Sequence, residues 1–259
     1  MTAFLQNFLA VGQDGLHIIA TAVLPVLFPF FVITGLILNL TNTTRTWVVA
    51  LLAYTSGYPN GTRLTQTLYQ QNRINLTQAK KLIITTSTPS PIFVIASAGM
   101  VFLHNVKLGC IIFLCSIFSA ILNGWLWCFK QSPIPKPTIP VQKKINTKSF
   151  FAVFSDALAS ATSAIVNVCG IVLFFYITTH LLNLPIMLTG IMEMTTGVAA
   201  TTNPLLVQFF VTFGGLSVAM QQQIFMRDFQ INFRTYLGYK LTHAILACGL
   251  LSLYLLFLN

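Results

Sequence analysis

Six long hydrophobic runs alternate with short polar segments along this chain. They cover residues 16–40, 82–103, 108–129, 160–184, 204–226 and 236–258. A helix of about 20 residues crosses the bilayer core, so each run is long enough to span a membrane. The pattern therefore predicts an all-α polytopic membrane protein with about six transmembrane helices.

Two shorter runs, 46–56 and 186–194, lead into polar interruptions. The first interruption reads Thr55-Ser56-Gly57-Tyr58-Pro59-Asn60-Gly61-Thr62. The second contains Glu193-Met194-Thr195-Thr196-Gly197 and ends at Asn203-Pro204. In lipid, such backbone is tolerated only where protein or a polar cavity satisfies its free N–H and C=O groups. Two breaks in matching positions of two halves are typical of the substrate site of a secondary transporter. We therefore predict re-entrant segments at 46–61 and 186–203.

A stretch rich in proline and lysine separates the two halves. Residues 132–140 hold four prolines in nine positions, a composition that favours extended polyproline II over helix. We predict repeats at 1–129 and 150–259, joined by an exposed linker at 130–149. Each repeat has three full spans, and because three is odd, the second repeat is expected to run inverted relative to the first.

The charges indicate an orientation in the membrane. Charged residues make up 7% of the chain, against about 25% in soluble domains. The net charge is +10, and basic loops of membrane proteins face the cytoplasm and anionic lipid. If the linker is cytoplasmic and neither re-entrant segment crosses, thirteen of the fourteen basic residues, including Arg45, Arg63 and Lys240, share its side. We predict a bacterial cytoplasmic membrane protein with both termini outside.

Several functional classes have no support in the sequence. The basic residues form no basic-aromatic face, so we predict no nucleic-acid partner. The five cysteines lie in hydrophobic runs without a CxxC pair, which is typical of core residues rather than disulfides or metal ligands. No nucleophile–base pair, HExxH motif or phosphate-binding loop is present. We predict neither an enzyme nor a cofactor, and a homo-oligomer remains compatible with the sequence.

The first break is a candidate site for an anion. A helix that begins after Asn60-Gly61 presents free N–H groups and the positive end of its dipole, and Arg63 adds a charge one turn later. Glycine allows a close approach of the ligand to the backbone. A kinked helix whose Arg63 reaches the cytoplasmic surface is an equally good interpretation.

Glu193 is the only acidic residue inside a hydrophobic run. A carboxylate at membrane depth costs about 3 kcal/mol or more and usually has a function. We predict that Glu193 binds solute or a coupling ion, either a proton or sodium, and an interfacial position is the alternative. Polar residues of the neighbouring spans either line the pocket or hold helices together. The predicted binding residues are Thr55, Ser56, Gly57, Tyr58, Pro59, Asn60, Gly61, Thr62, Thr88, Ser90, Glu193, Thr195, Thr196, Gly197, Asn203 and Gln221.

Five motifs resemble those of the YlbJ-like sporulation integral membrane proteins. They are LPVLFPFF at 24–31, SGYPNG at 56–61, SPIFV at 90–94, MEMTTG at 192–197 and GGLSV at 214–218. Members of this family contain the nucleoside-recognition, or Gate, domain, which is similar to part of concentrative nucleoside transporters. The resemblance implies a role in membrane transport. In sporulating members the implied solute is dipicolinate, an aromatic dicarboxylate.

These features predict a secondary transporter of a small polar or anionic organic solute, either dipicolinate-like or nucleoside-like. Its two halves would rock about a pocket between the breaks. A non-transporting membrane scaffold or assembly partner is the alternative, and it predicts breaks that pack dry against each other. A passive channel predicts a continuous polar path, which the apolar spans disfavour.

Overall fold

The computed structural model describes residues 2–41, 43–129 and 149–258, and every regular element within these ranges is a helix. The predicted all-α membrane fold is confirmed. The predicted linker at 130–149 lies outside the described residues, apart from Ser149.

The first half opens with one long helix in two parts. α1 (Thr2–Ile18) and α2 (Leu24–Thr41) are joined by a π-helical turn at Ile19–Val23. Pro25 and Pro29 follow this turn, and because proline has no N–H, they interrupt the hydrogen-bond ladder there. The remaining elements of this half are α3 (Thr46–Ser56), α4 (Asn60–Gln70), α5 (Leu76–Thr86), a π-helix (Ile92–Phe102) and α6 (Val106–Phe129).

The second half repeats this order with different lengths. Its elements are α7 (Phe150–Leu182), α8 (Ile186–Met192), α9 (Met194–Ala199), α10 (Pro204–Phe213), α11 (Gly215–Met226), a short 3₁₀ turn (Arg227–Phe229) and α12 (Phe233–Leu258). Across the halves, α2 packs on α7 and α6 packs on α12. The first long helices of the two halves are therefore neighbours, and so are the last.

Contacts between helix ends define two sides of the bundle. We call the end at which α6 finishes and α7 begins the linker side, and the opposite end the far side. Near the end of α6, Trp127 donates to the hydroxyl of Thr242 in α12 at 2.9 Å. Asp228, just before α12, accepts from Gln66 and Gln70 of α4 at 3.1 and 2.9 Å. The ends of α4, α6 and α11 therefore share the linker side.

α3 and α4 form a hairpin that enters and leaves on the linker side. Just after α4, Arg73 donates to the carbonyl oxygen of Leu38 at 2.8 Å, and Gln71 donates to Asn39 at 3.1 Å. Leu38 and Asn39 lie near the end of α2, immediately before the hairpin begins. The chain thus returns to the place from which it started.

α8 and α9 form a second, shorter hairpin on the far side. Their backbones approach so closely that a Cβ added to Gly197 would meet the Cα of Gly190. At the start of α10, which follows this hairpin, the carbonyl oxygen of Leu205 lies 3.7 Å from the Sγ of Cys248 in the last part of α12. Because α12 runs from the linker side outward, the second hairpin opens to the opposite side from the first.

Two of the six predicted spans are not continuous helices. Five helical segments of the described ranges are long and apolar enough to cross a membrane, and 82–103 is not among them. It is divided by extended backbone at Ser87–Ser90, because Pro89 and Pro91 keep the residues before them out of the α region. The predicted span 204–226 is also divided, at Gly214, where φ is +82°. Each half therefore contains a hairpin and a broken helix between two long helices.

Candidate functional site

Four interruptions of the helical backbone lie together inside the bundle. We call Gly57–Pro59 the first break, Ser87–Ser90 the second, Glu193 the third and Gly214–Gly215 the fourth. In the first half, the amide of Tyr58 donates to the carbonyl oxygen of Thr88 at 2.8 Å. In the second half, a Cβ on Gly215 would lie 3.1–3.2 Å from the carbonyl oxygens of residues 190–192. Each hairpin tip therefore packs on the broken helix that follows it.

The tips of the two hairpins touch each other. The hydroxyl of Tyr58 donates to the carbonyl oxygen of Val211 at 3.2 Å and contacts the Sδ of Met194. Tyr58 belongs to the first break, and Met194 directly follows the third. Segments that enter from opposite sides thus meet near the middle of the bundle.

Glu193 is buried at the turn between α8 and α9, with 4% of its surface exposed. Its carboxylate accepts hydrogen bonds from the amides of Thr195 at 3.1 Å and Thr196 at 2.6 Å, and from the Thr196 hydroxyl at 2.7 Å. These donors and the dipole of α9 stabilise a negative charge on the carboxylate. Among the described residues, no basic side chain lies within hydrogen-bonding range of it. Glu193 is therefore held inside the protein and not at its exposed surface.

A cavity of about 470 Å³ lies between α1, α2, the π-helix, α7 and the third break. Its volume falls in the range of small-molecule sites, about 300–1,000 Å³. Most of its wall is aliphatic or aromatic, including Phe93, Phe102 and Val172. The polar residues of the wall are Tyr58, Ser90, Ser97, Tyr176, His180, Glu193, Thr195, Thr196 and Gln221.

The structure brings only part of the predicted binding set to this cavity. The members that line it are Tyr58, Ser90, Glu193, Thr195, Thr196 and Gln221. The others are not part of its wall: Thr55, Ser56, Gly57, Pro59, Asn60, Gly61, Thr62, Thr88, Gly197 and Asn203. The contribution of the first break to the cavity is therefore a tyrosine side chain rather than its free amides.

Asn203 has a local structural role instead. It is exposed, and its Oδ1 accepts from the amides of Leu205 at 2.9 Å and Leu206 at 3.3 Å, which caps α10. Asparagine followed by proline is typical of a helix start, and Pro204 occupies the first turn. Thr55 is likewise exposed, and its hydroxyl donates to carbonyl oxygens of its own helix.

The start of α4 is filled by protein side chains. Asn60 is fully buried, and its amide donates to the hydroxyls of Thr34 and Ser56, each at 2.9 Å. A Cβ on Gly61 would lie 2.7 Å from the Oγ1 of Thr86 and 2.9 Å from the Cβ of Ala53. The helix start where we expected an anion is thus packed against α2, α3 and α5, away from the cavity.

Arg63 fits neither of its two sequence-based interpretations, because it reaches neither the cavity nor the surface. It is 5% exposed, and it donates to the carbonyl oxygen of Phe31 at 2.6 Å, to Asn60 Oδ1 at 3.0 Å and to the hydroxyl of Ser160 at 3.3 Å. Its guanidinium also lies over the Phe31 ring, 4.8 Å from the centroid. Arg63 therefore joins the first hairpin to α2 and α7.

Replacing Arg63 with methionine is expected to destabilise the protein by about 2–4 kcal/mol, because two buried acceptors lose their donor. Thermal unfolding in detergent measures the effect. Arg45→Met is the matched control, since Arg45 is exposed at the start of α3 and its loss should change stability by less than about 0.5 kcal/mol. Equal unfolding temperatures for the two variants would contradict the role assigned to Arg63.

A buried polar network, which the sequence did not reveal, joins α4, the second break, α11 and α12. Gln222 donates to the hydroxyl of Ser87 at 2.9 Å, and its Oε1 accepts from the hydroxyl of Thr62. The Ser87 hydroxyl also lies 2.7 Å from the hydroxyl of Tyr236. Through these bonds, Thr62 of the first hairpin and Ser87 of the second break are joined to the second half of the chain.

Lys240 joins this network, although we expected it among the cytoplasmic loop charges. It is 2% exposed, and its Nζ donates to the carbonyl oxygen of Ser87 at 2.7 Å. The spacing of polar residues in the sequence indicates this burial. Tyr236, Lys240 and His243 lie four and three residues apart in an apolar run and share one helix face. The positive-inside rule predicts a cytoplasmic position for Lys240 because the residue lies close to the start of its span.

Metal-binding groups are sparse in the part of the chain that the structure describes. It contains no cluster of three His, Cys, Asp or Glu side chains that could hold a metal ion. Cys110, Cys115, Cys169 and Cys248 are free thiols.

Comparison with known proteins gives one informative relative. No protein-family model matches the chain, and no solved structure matches it. The chain is 20% identical to the sporulation integral membrane protein YlbJ of Bacillus subtilis (strain 168), over an alignment of 310 positions. That alignment covers 93% of this chain and 76% of the relative. The predicted resemblance to the YlbJ-like sporulation integral membrane proteins is therefore confirmed, at low identity and over nearly the whole chain.

Proposed function

We propose that this protein is a secondary transporter, and that its solute binds in the cavity beside the two hairpin tips. The observation that carries the proposal is that Tyr58 of the first break and Glu193 of the third line the same cavity. A scaffold whose breaks only hold helices together would pack them dry. Broken helices that face a cavity favour transport instead.

The walls of the cavity indicate the class of solute. Among the residues that the structure describes, they contain the carboxylate of Glu193 but no lysine or arginine, and His180 is the only lining residue that can become a cation. A dicarboxylate would therefore meet like charge without a counter-ion. Hydroxyls, an amide and aromatic rings favour a neutral solute with hydrogen-bond donors and a flat apolar part. We therefore favour a nucleoside-like solute over a dipicolinate-like one.

The two opposed hairpins are the moving parts of this transporter. The first hairpin enters from the linker side and the second from the far side, and both reach the cavity. Movement of one hairpin at a time would open the cavity to one side of the membrane at a time. We place the linker side in the cytoplasm, because exposed Arg45, Lys81 and Arg234 lie on that side.

Thermal-shift measurements and uptake into proteoliposomes test this function. We expect uridine to raise the unfolding temperature and to be taken up, and dipicolinate to have a smaller effect. Val172→Trp, which fills the cavity from α7, should abolish both signals. Val166→Trp is the matched control, because Val166 lies on the same helix but is 65% exposed.

Three results would count against the proposal. The first is a wild-type protein that neither binds nor moves any nucleoside or aromatic carboxylate. The second is equal uptake by Val172→Trp and Val166→Trp, which would place the solute elsewhere. A stronger response to dipicolinate than to uridine would reject the solute class but retain the transporter.

A further inference from the structure

Lys240 is a buried basic residue that does not line the transport cavity. Its amine lies inside the bundle with 2% exposure, and no carboxylate is within ion-pair distance of it in the described ranges. The titratable groups that face it are Tyr58 from the first break, with Tyr236 and His243 from its own helix. Glu193 lies within electrostatic range of Tyr58. An ammonium without a counter-charge is costly at such a position, and ionisable residues kept inside membrane proteins usually have a function.

The partner of Lys240 is the backbone of a broken helix. Its Nζ lies 2.7 Å from the carbonyl oxygen of Ser87, directly after the end of α5. Carbonyl oxygens released by unwound helices are the groups that hold coupling cations in many transporters. In this protein the amine of Lys240 occupies that position. Since two positive charges at one carbonyl repel, a protonated Lys240 and a sodium ion exclude each other there.

One side chain connects Lys240 to the cavity. The Nζ lies 5.5 Å from the centroid of the Tyr58 ring, and Tyr58 is one of the residues that line the cavity. The hydroxyl of the same tyrosine contacts Met194 at the tip of the second hairpin. An ammonium is attracted to the face of an aromatic ring more strongly than a neutral amine is. A proton on Lys240 therefore acts on both hairpin tips at once.

We propose that Lys240 is the proton-binding residue of this protein and takes the place of an inorganic coupling cation. The proposal deepens the transport function and rests on it for the coupling step. When water reaches the second break from one side, the amine takes up a proton and holds Ser87 and Tyr58. When the site opens to the other side, the proton leaves to water and this contact weakens. Glu193 does not take this role, because three donors of α9 already hold its carboxylate.

The proton site is tested without any solute. Trp127 packs against Tyr239, with ring centroids 4.6 Å apart, and so reports on the surroundings of Lys240. In a background with Trp47→Phe and Trp125→Phe, we expect its fluorescence to follow a titration between pH 5 and about 10. Lys240→Met and Lys240→Arg should both lose the titration, since the first never binds a proton and the second never releases one. His243→Gln should keep it.

The coupling step is tested in proteoliposomes that contain a pH-sensitive dye, with uridine as the probe. For the wild type we expect uridine addition to move protons with the solute, and replacement of sodium by choline to change uptake less than twofold. Lys240→Met should exchange uridine across the membrane without proton movement. If Lys240→Met does not fold, Lys240→Gln replaces it, and the choline experiment on the wild type is independent of both.

The two proposals fail on different results. A fluorescence titration that persists in Lys240→Met, or uptake that requires sodium, overturns the proton site even if solute is transported. Absence of uptake in the wild type, with a titration that depends on Lys240, overturns the transport function and leaves the proton site supported.

Discussion

Replacing Glu193 with glutamine is expected to weaken solute binding by about 10- to 100-fold, because a hydrogen bond to a charged group contributes about 1.5–3 kcal/mol. Glu193 is the only acidic residue that lines the cavity in the described part of the chain. Glutamine keeps the size of the side chain but places an NH₂ group where the amides and hydroxyl of α9 now donate. The cap of α9 is also lost, at a cost of about 1 kcal/mol of stability.

Isothermal titration with uridine, on wild-type and variant protein of equal purity, measures this effect. Asp14→Asn is the matched control: Asp14 lies on α1, is exposed and does not line the cavity. Its affinity should equal that of the wild type. If Glu193→Gln binds uridine as tightly as Asp14→Asn does, Glu193 is a structural cap and the solute lies elsewhere.

Replacing Gly57 with alanine is expected to have the largest effect on stability, a loss of about 3–5 kcal/mol. Gly57 has φ of +73°, which side chains rarely tolerate, and an added Cβ would collide with the backbone nitrogen of Ser90. Gly57 and Ser90 cannot move apart freely, because the amide of Tyr58, next to Gly57, donates a hydrogen bond to the second break. The substitution therefore separates the first hairpin tip from the broken helix on which it packs.

The unfolding temperature and the yield of monodisperse protein report this loss. Gly170→Ala is the matched control, since no atom lies within 4 Å of a Cβ built there and alanine favours helix by up to about 1 kcal/mol. Its unfolding temperature should be unchanged or higher. A Gly57→Ala protein as stable as Gly170→Ala would show that the first break is not in close contact with the second.

The class of protein and the positions of the hairpins follow from the local sequence. Composition alone excludes a soluble fold, and the Gly-Tyr-Pro-Asn-Gly segment and Glu193 mark two of the four breaks. The sequence does not predict the second and fourth breaks, because each lies inside a run that is long and apolar enough to cross a membrane. Pro89, Pro91 and Gly214 were visible in the sequence, but prolines and glycines also occur in continuous transmembrane helices.

Part of the predicted binding set lines the cavity, and one physical reason explains why the sequence could not separate these residues from the others. Tyr58, Ser90, Glu193 and Gln221 reach the cavity, whereas Asn60, Thr62 and Arg63 bond to neighbouring helices. Polar residues in a break look alike in sequence whether they face a solute or another helix. Which of the two they face depends on how helices from different parts of the chain pack, as in the contact of Thr62 with Gln222.

The sequence by itself determined that this is an all-α membrane protein with interrupted segments in each half and motifs similar to those of the YlbJ-like proteins, because length, hydropathy and backbone-breaking residues are local properties. Only the tertiary structure decided that the tips of the two hairpins touch, that Tyr58 and Glu193 share a cavity, and that Lys240 is buried against the second break. These are contacts between residues far apart in the chain, and they arise when the free backbone groups of one break are satisfied by side chains of another.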